Sequence, residues 1–183
     1  MNRFISRFFK RCRPGIRARC EEGSGESGNS IVELALVVSI FCTPVLLGTA
    51  DMATLVYDSI EISNAAHAGA MYGMMGSNVA VDTTDITSTA KGEASDFPSG
   101  NLTVTPTSYY ACSANQGGTQ YTGSGSQATA AADATATAAC TGTNNYPLEF
   151  VQVQVSAPVT LPFACCGLPA SITLNSKSVM EVY

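Results

Sequence analysis

The longest apolar run in the chain extends from Ile31 to Ala50, and between Leu34 and Ala50 it carries no charged side chain for 17 residues. That is the lower limit for a helix crossing the hydrocarbon core of a bilayer, and Ile31 and Val32 lengthen it. Backbone groups in lipid must find partners within their own segment, so the run predicts a helix, with a modest kink at Pro44. Asp51 closes it. From Met52 to about Met75 a second pattern follows. Leu55, Val56, Ile60, Ile62, Ala66, Ala70 and Met74 recur near helical spacing, with Asp58, Glu61 and Asn64 on the opposite side. One long helix is therefore expected, apolar all round in its first half and amphipathic in its second. Gly73 and Gly76 are its stop signals.

The pattern changes further on. Residues 77–100 are rich in Thr, Asp and Ser, with a short helix expected near Ile86 to Ala94. Leu102 to Thr105 and Phe150 to Val155 alternate, with Val151, Val153 and Val155 on one face and Gln152 and Gln154 on the other. Val159 to Phe163 reads as a separate short run bounded by Pro158 and Pro162, and Ile172 to Tyr183 as a long final strand. Period-two patterning with a polar face predicts an antiparallel sheet solvated on one side. The fold class is thus α+β, with a long N-terminal transmembrane and amphipathic helix packed on a small antiparallel sheet. Residues 113–139 are of low complexity and read as an exposed loop, helical near Ala128 to Ala139.

Charge sets the topology. Of nine Lys and Arg residues, seven precede residue 20, whereas beyond Asn29 two basic residues face eleven acidic ones. Cations before the span, with Asp51, Asp58 and Glu61 after it, place the N-terminus in the cytoplasm and the bulk of the chain outside. A buried core helix is the other reading of the apolar run, and these flanking charges weigh against it. The acidic body repels phosphate, so no nucleic-acid partner is expected. The resulting organisation is a basic cytoplasmic leader (1–28), a transmembrane helix (29–51), an amphipathic extension (52–76) and an exported β-rich domain (77–183).

The cysteines divide by compartment. Cys12 and Cys20 fall on the cytoplasmic side, where thiols stay reduced, and Cys42 falls within the span as a small apolar filler. Cys112, Cys140, Cys165 and Cys166 are exported, and four cysteines allow three pairings. Cys112 with Cys140 is the first choice, since it would staple the low-complexity loop; the adjacent pair could instead join those two separately or each other, and free thiols are the remaining reading. A zinc site is a poor alternative, because no His lies near.

The junction Gly28-Asn29-Ser30-Ile31-Val32-Glu33-Leu34 carries the most information. A carboxylate at the edge of an apolar span is costly on insertion and is by default functional. A cut after Gly28 would make Glu33 the fifth residue of the mature chain and create an α-amino group on Asn29. Glu33 of one subunit could pair with that amine on a neighbour and offset both desolvation costs.

A basic leader ending in Gly, then four residues, a Glu and an apolar helix resembles the type IV prepilin signal. Gly48-Thr-Ala-Asp51-Met-Ala-Thr-Leu-Val-Tyr57 and Asn64-Ala-Ala-His-Ala-Gly69-Ala-Met-Tyr72 resemble the TadE-like pseudopilin family of tight-adherence (Flp pilus) systems. So, loosely, does the tail from Gly167 to Val182. The basic residues that members often carry near Thr54 and Met71 are missing. The resemblance implies a minor pilus component or assembly factor in the bacterial inner membrane. It would be single-pass and would be processed by a prepilin peptidase at Gly28, with Glu33 as the assembly residue. Its partners would be other pilins or pseudopilins and the pilus assembly machinery.

Two other readings compete with this one. Gly48-Thr-Ala50 has small residues suited to ordinary signal peptidase, which would release an exported binding domain beginning at Asp51. Glu33 and the helical pattern continuing past Asp51 weigh against it. An exported enzyme would have to use the single histidine, His67, which has Ser63 within helical reach but no evident third partner. No catalytic activity is expected. No cofactor or metal is expected either. Asp82 and Asp85 read as solvated turn residues rather than a calcium loop, and Gly23-x-Gly25-x-x-Gly28 reads as linker, because no strand precedes it.

Overall fold

The computed structural model describes residues 25–97, 101–164 and 167–183, and the chain divides into two compact units, Met1–Cys42 and Thr43–Tyr183. In chain order the elements are α1 (Gly25–Gly73), α2 (Ser77–Ala80), α3 (Thr83–Glu93), β1 (Thr103–Cys112), α4 (Ala130–Ala139), β2 (Pro147–Thr160) and β3 (Ser171–Glu181). This is the expected α+β architecture, a long N-terminal helix with a three-stranded antiparallel sheet. Most of the basic leader, with Cys12 and Cys20, lies outside the described residues, as do Cys165 and Cys166.

Helix α1 runs unbroken through 49 residues, Pro44 included, and ends at Gly73, one of its two expected stops. It begins at Gly25, so the last residues of the expected linker are helical. By length and composition it can cross a membrane, and from Ile31 to Phe41 its side chains are exposed.

In the unit Thr43–Tyr183, α1 buries Asp51, Ile62, Ala65, Ala66 and Ala70. Val56 and Ile60, expected with Ile62 and Ala66 on the apolar side, are instead 61% and 56% exposed. The reason is geometric. At 100° per residue, Ile60 and Ile62 stand about 200° apart, so the apolar residues form two stripes and only one meets the sheet.

The sheet order is β1-β2-β3. Strand β2 is central, and its buried Val151, Val153, Val155, Ala157 and Val159 alternate with less buried neighbours. The two apolar runs separated in the sequence reading are one strand passing through Pro158. Pairing with β1 stops at Thr103 opposite Ser156, so at Pro158 the side away from β3 is an edge, where a missing N–H costs no ladder bond.

The side of the sheet facing away from α1 is not wholly solvated. Tyr109 stacks on Phe150 with centroids 5.7 Å apart, and with Ala111 they form a small second cluster.

Residues 113–139 are more ordered than their composition suggested. Helix α4 occupies the predicted place, but its Ala132 and Ala136 are buried. Upstream, Tyr121 exchanges backbone hydrogen bonds with Tyr110 at 2.9 and 3.0 Å, covering the outer edge of β1. The buried Ser108 hydroxyl donates to Gln127 Oε1 and accepts from the Ala128 N–H, both at 2.8 Å.

Candidate functional site

The small residues of α1 explain how its second half meets the sheet. Ala65, Ala66 and Ala70 are buried against Val151, Val153 and Val155. A Cβ on Gly69 would stand 3.2 Å from Val153 Cγ1 and from Ala90 Cβ; one on Gly73 would stand 2.7 Å from Val151 Cγ2. The Asn64-to-Tyr72 element is thus a close-approach surface. Its small residues let the helix backbone lie on β2 and α3, while Asn64 and His67 face solvent.

These contacts also fix direction. Gly73 meets Val151, Gly69 meets Val153, Asp58 and Val159 line one shallow cavity, and Asp51 meets Phe163. Strand β2 therefore runs antiparallel to α1 and delivers the β2–β3 turn to the helix at Asp51. Strand β3 returns the chain, and the Tyr183 N–H donates to the Met74 carbonyl at 3.2 Å.

Asp51 is the unexpected residue of this surface. It reads in the sequence as the charge that ends the apolar run, yet it is fully buried, and its Oδ1 accepts the Phe163 N–H at 3.1 Å. Thr54 Oγ1 donates back to the Asp51 carbonyl at 2.8 Å, which leaves the threonine hydroxyl satisfied along the helix. No periodicity could have revealed this partner, 112 residues away in sequence.

Further along α1, Tyr57 donates its hydroxyl to Asp96 Oδ2, and the Asp96 N–H donates to Glu61 Oε1, both at 3.0 Å. These bonds hold the segment after α3 against the helix. At the far end the Tyr72 hydroxyl donates to Asp85 Oδ2 at 3.3 Å.

Gly28, Asn29 and Glu33 all lie in the first turns of α1, in the unit Met1–Cys42, and Glu33 is exposed. Cys112 is bonded to Cys140, joining the end of β1 to the cap of α4 across 28 residues of sequence. Cys42 is a free, exposed thiol within the apolar half of α1. Asp82 caps α3 by accepting from the N–H groups of Thr84 and Asp85 at 3.1 Å, a helix-capping role. Among the described residues no group of three or more His, Cys, Asp and Glu side chains is placed to hold a metal ion.

Residues 28–71 match the model of the family described as TadE-like protein. No curated protein and no solved structure matches the chain. The matched segment opens at the glycine of the candidate cleavage junction, contains Glu33 and the apolar run, and ends within the small-residue surface that meets β2.

Proposed function

We propose that this chain, TadE-like from residue 28 to residue 71, is a minor pseudopilin or assembly factor of a tight-adherence pilus. It is a structural component rather than an enzyme. The observation that carries this reading is the extent of the family match, which takes in both the Glu33-bearing apolar segment and the small-residue face of α1. The basic leader stays in the cytoplasm, the apolar half of α1 spans the inner membrane, and the sheet domain stands on the export side. A prepilin peptidase cuts after Gly28. The amine freed on Asn29 and the Glu33 carboxylate of a neighbouring subunit then compensate each other within an apolar surround, which sets the register in which helices assemble.

Two features favour this cut over one after Ala50. Helix α1 is continuous through Ala50 and Asp51, and Asp51 is a buried acceptor within that helix rather than a loose terminus. Sequencing the N-terminus of the mature protein tests the point. Asn29 as first residue is the expected result, and Asp51 would overturn it. Glu33→Ala should leave the folded domain and its disulfide intact while abolishing assembly. Normal pili in that variant would remove the assembly role.

A further inference from the structure

The uncharged run from Leu34 to Ala50 is short for a bilayer, at about 1.5 Å per residue against a hydrocarbon core of roughly 30 Å. Asp51, the first charge after it, would ordinarily mark the water boundary. Its carboxylate is fully buried, and one oxygen is bonded to the Phe163 N–H, so it is shielded from the surroundings at that level. The next acid along the helix is Asp58. The two helical turns between them are open to the surroundings through Met52 and Val56, 51% and 61% exposed, in continuity with Val45 and Leu46 at 63% and 67%.

The segment shielding Asp51 is itself apolar. No charged residue occurs between Glu149 and Lys177. In the turn between β2 and β3, Pro162, Phe163 and Pro169 are exposed and Leu168 half-buried, with the Phe163 ring 51% exposed. An exposed aromatic ring among prolines, on a charge-free turn beside the end of an apolar helix, has the composition of an interfacial anchor.

We infer that Pro162, Phe163, Leu168 and Pro169, in the turn between β2 and β3, form a second membrane contact. It lies in the interfacial zone of the bilayer, so that the water boundary falls in the helical turn after Asp51 and Phe163 sits at the level of the lipid headgroups. The inference rests on the reading of α1 as a membrane span. The direction of β2 along α1 supplies the geometry. The same strand that packs at Gly73 carries its far end to the helix at Asp51, so the sheet stands along the helix with this turn at its lipid-side end. The occupant is lipid rather than protein because the turn meets α1 where its uncharged run ends and bears no charge for a partner to read.

The chain contains no tryptophan, so single tryptophans report position without background. Full-length Val45→Trp, Phe163→Trp, Pro169→Trp and Tyr146→Trp variants would be reconstituted in phosphatidylcholine vesicles containing acyl-chain-brominated phosphatidylcholine. Tyr146 is 56% exposed and precedes β2 at the opposite end of the sheet. The expected result is emission quenched about twofold or more at Val45→Trp and clearly at Phe163→Trp and Pro169→Trp, with Tyr146→Trp unaffected, as interfacial and aqueous placements require. Quenching at Val45→Trp with none at either turn position overturns the second contact and leaves the anchor standing. No quenching at Val45→Trp overturns the anchor itself, and this inference with it.

Discussion

Gly73 on α1 lies so close to Val151 on β2 that a Cβ there would fall 2.7 Å from one valine methyl and 3.1 Å from the other. Val151 is fully buried in the main core and cannot swing clear. Gly73→Ala should therefore destabilise the domain by about 1–3 kcal/mol, the usual cost of overpacking. This outweighs the fraction of a kcal/mol that alanine's better helix propensity returns near a helix end. Gly69→Ala meets Val153 and Ala90 at 3.2 Å and should cost less. Urea unfolding of Gly73→Ala, Val151→Ala and the double variant checks the cause: the double variant should lose clearly less than the two single losses added, because the small side chain accommodates the new methyl. Strict additivity would mean that the two residues do not compete for the same space.

Much of this architecture is legible in the sequence because it is periodic. The alternation of Val151, Val153 and Val155 exposes the central strand, and the uncharged stretch to Ala50 exposes the apolar half of the helix. The stop at Gly73 is legible too, though its closeness to Val151 is not, since a glycine looks the same whether it ends a helix or lets a strand approach. Val56 and Ile60 mislead for a related reason, because their spacing is helical while their stripe faces away from the sheet. Pro158 splits one strand into two on paper, since nothing local says that β1 ends before reaching it. What pattern cannot carry is pairing across long separations. Asp51 with Phe163, and Ser108 with Gln127 and Ala128, are single polar contacts with no repeat to announce them. Of the candidate site, the proposed cleavage and assembly residues are legible as a motif, and the surface that seats the helix on the sheet is visible only in the fold.

The Asp51 contact makes a prediction that does not depend on the membrane. Asp51→Ala removes the acceptor for the Phe163 N–H and leaves that donor without its partner in a part-buried setting, at a cost of about 1–3 kcal/mol. Asp51→Asn keeps an acceptor oxygen and should lose less. Because the bond ties the turn following β2 to α1, the change should be local. Hydrogen exchange should speed up at Phe163 and the adjoining turn more than at Val151 or Val153 in the middle of β2. Equal acceleration across all three would show that Asp51 supports the whole domain rather than that turn.

The Cys112–Cys140 bond closes 28 residues of mostly small side chains against the outer edge of β1. On the chain-entropy model a loop of that length gains about 3–4 kcal/mol from its cross-link. The pairing of β2 with β3 involves neither cysteine nor any residue between them. Cys112→Ser with Cys140→Ser should therefore loosen α4 and residues 113–129 first, leaving the pairing of β2 with β3 in place. Limited proteolysis reads this directly, with new cleavage confined to that loop and the core fragment surviving. Indiscriminate digestion of both variant and core would contradict it.

Alkaline pH should weaken the domain through tyrosine. Tyr109 is 4% exposed and stacked on Phe150, and burial raises its phenol above the ordinary value of 10.0. Tyr110 beside it is raised as well, first by burial and then by Glu149 and Asp133. The folded state holds these protons more tightly than the unfolded chain does. Their contribution to stability is therefore complete below the ordinary tyrosine value and is lost as pH rises through the elevated folded one. Tyr109→Phe keeps the stacked ring and removes one titrating group. Urea midpoints of wild type and variant should run in parallel at neutral pH and diverge above about pH 10, with the wild type falling faster. The variant should retain a shallower slope from Tyr110. Parallel curves throughout would mean that the Tyr109 phenol ionises as readily in the folded protein as in the unfolded chain.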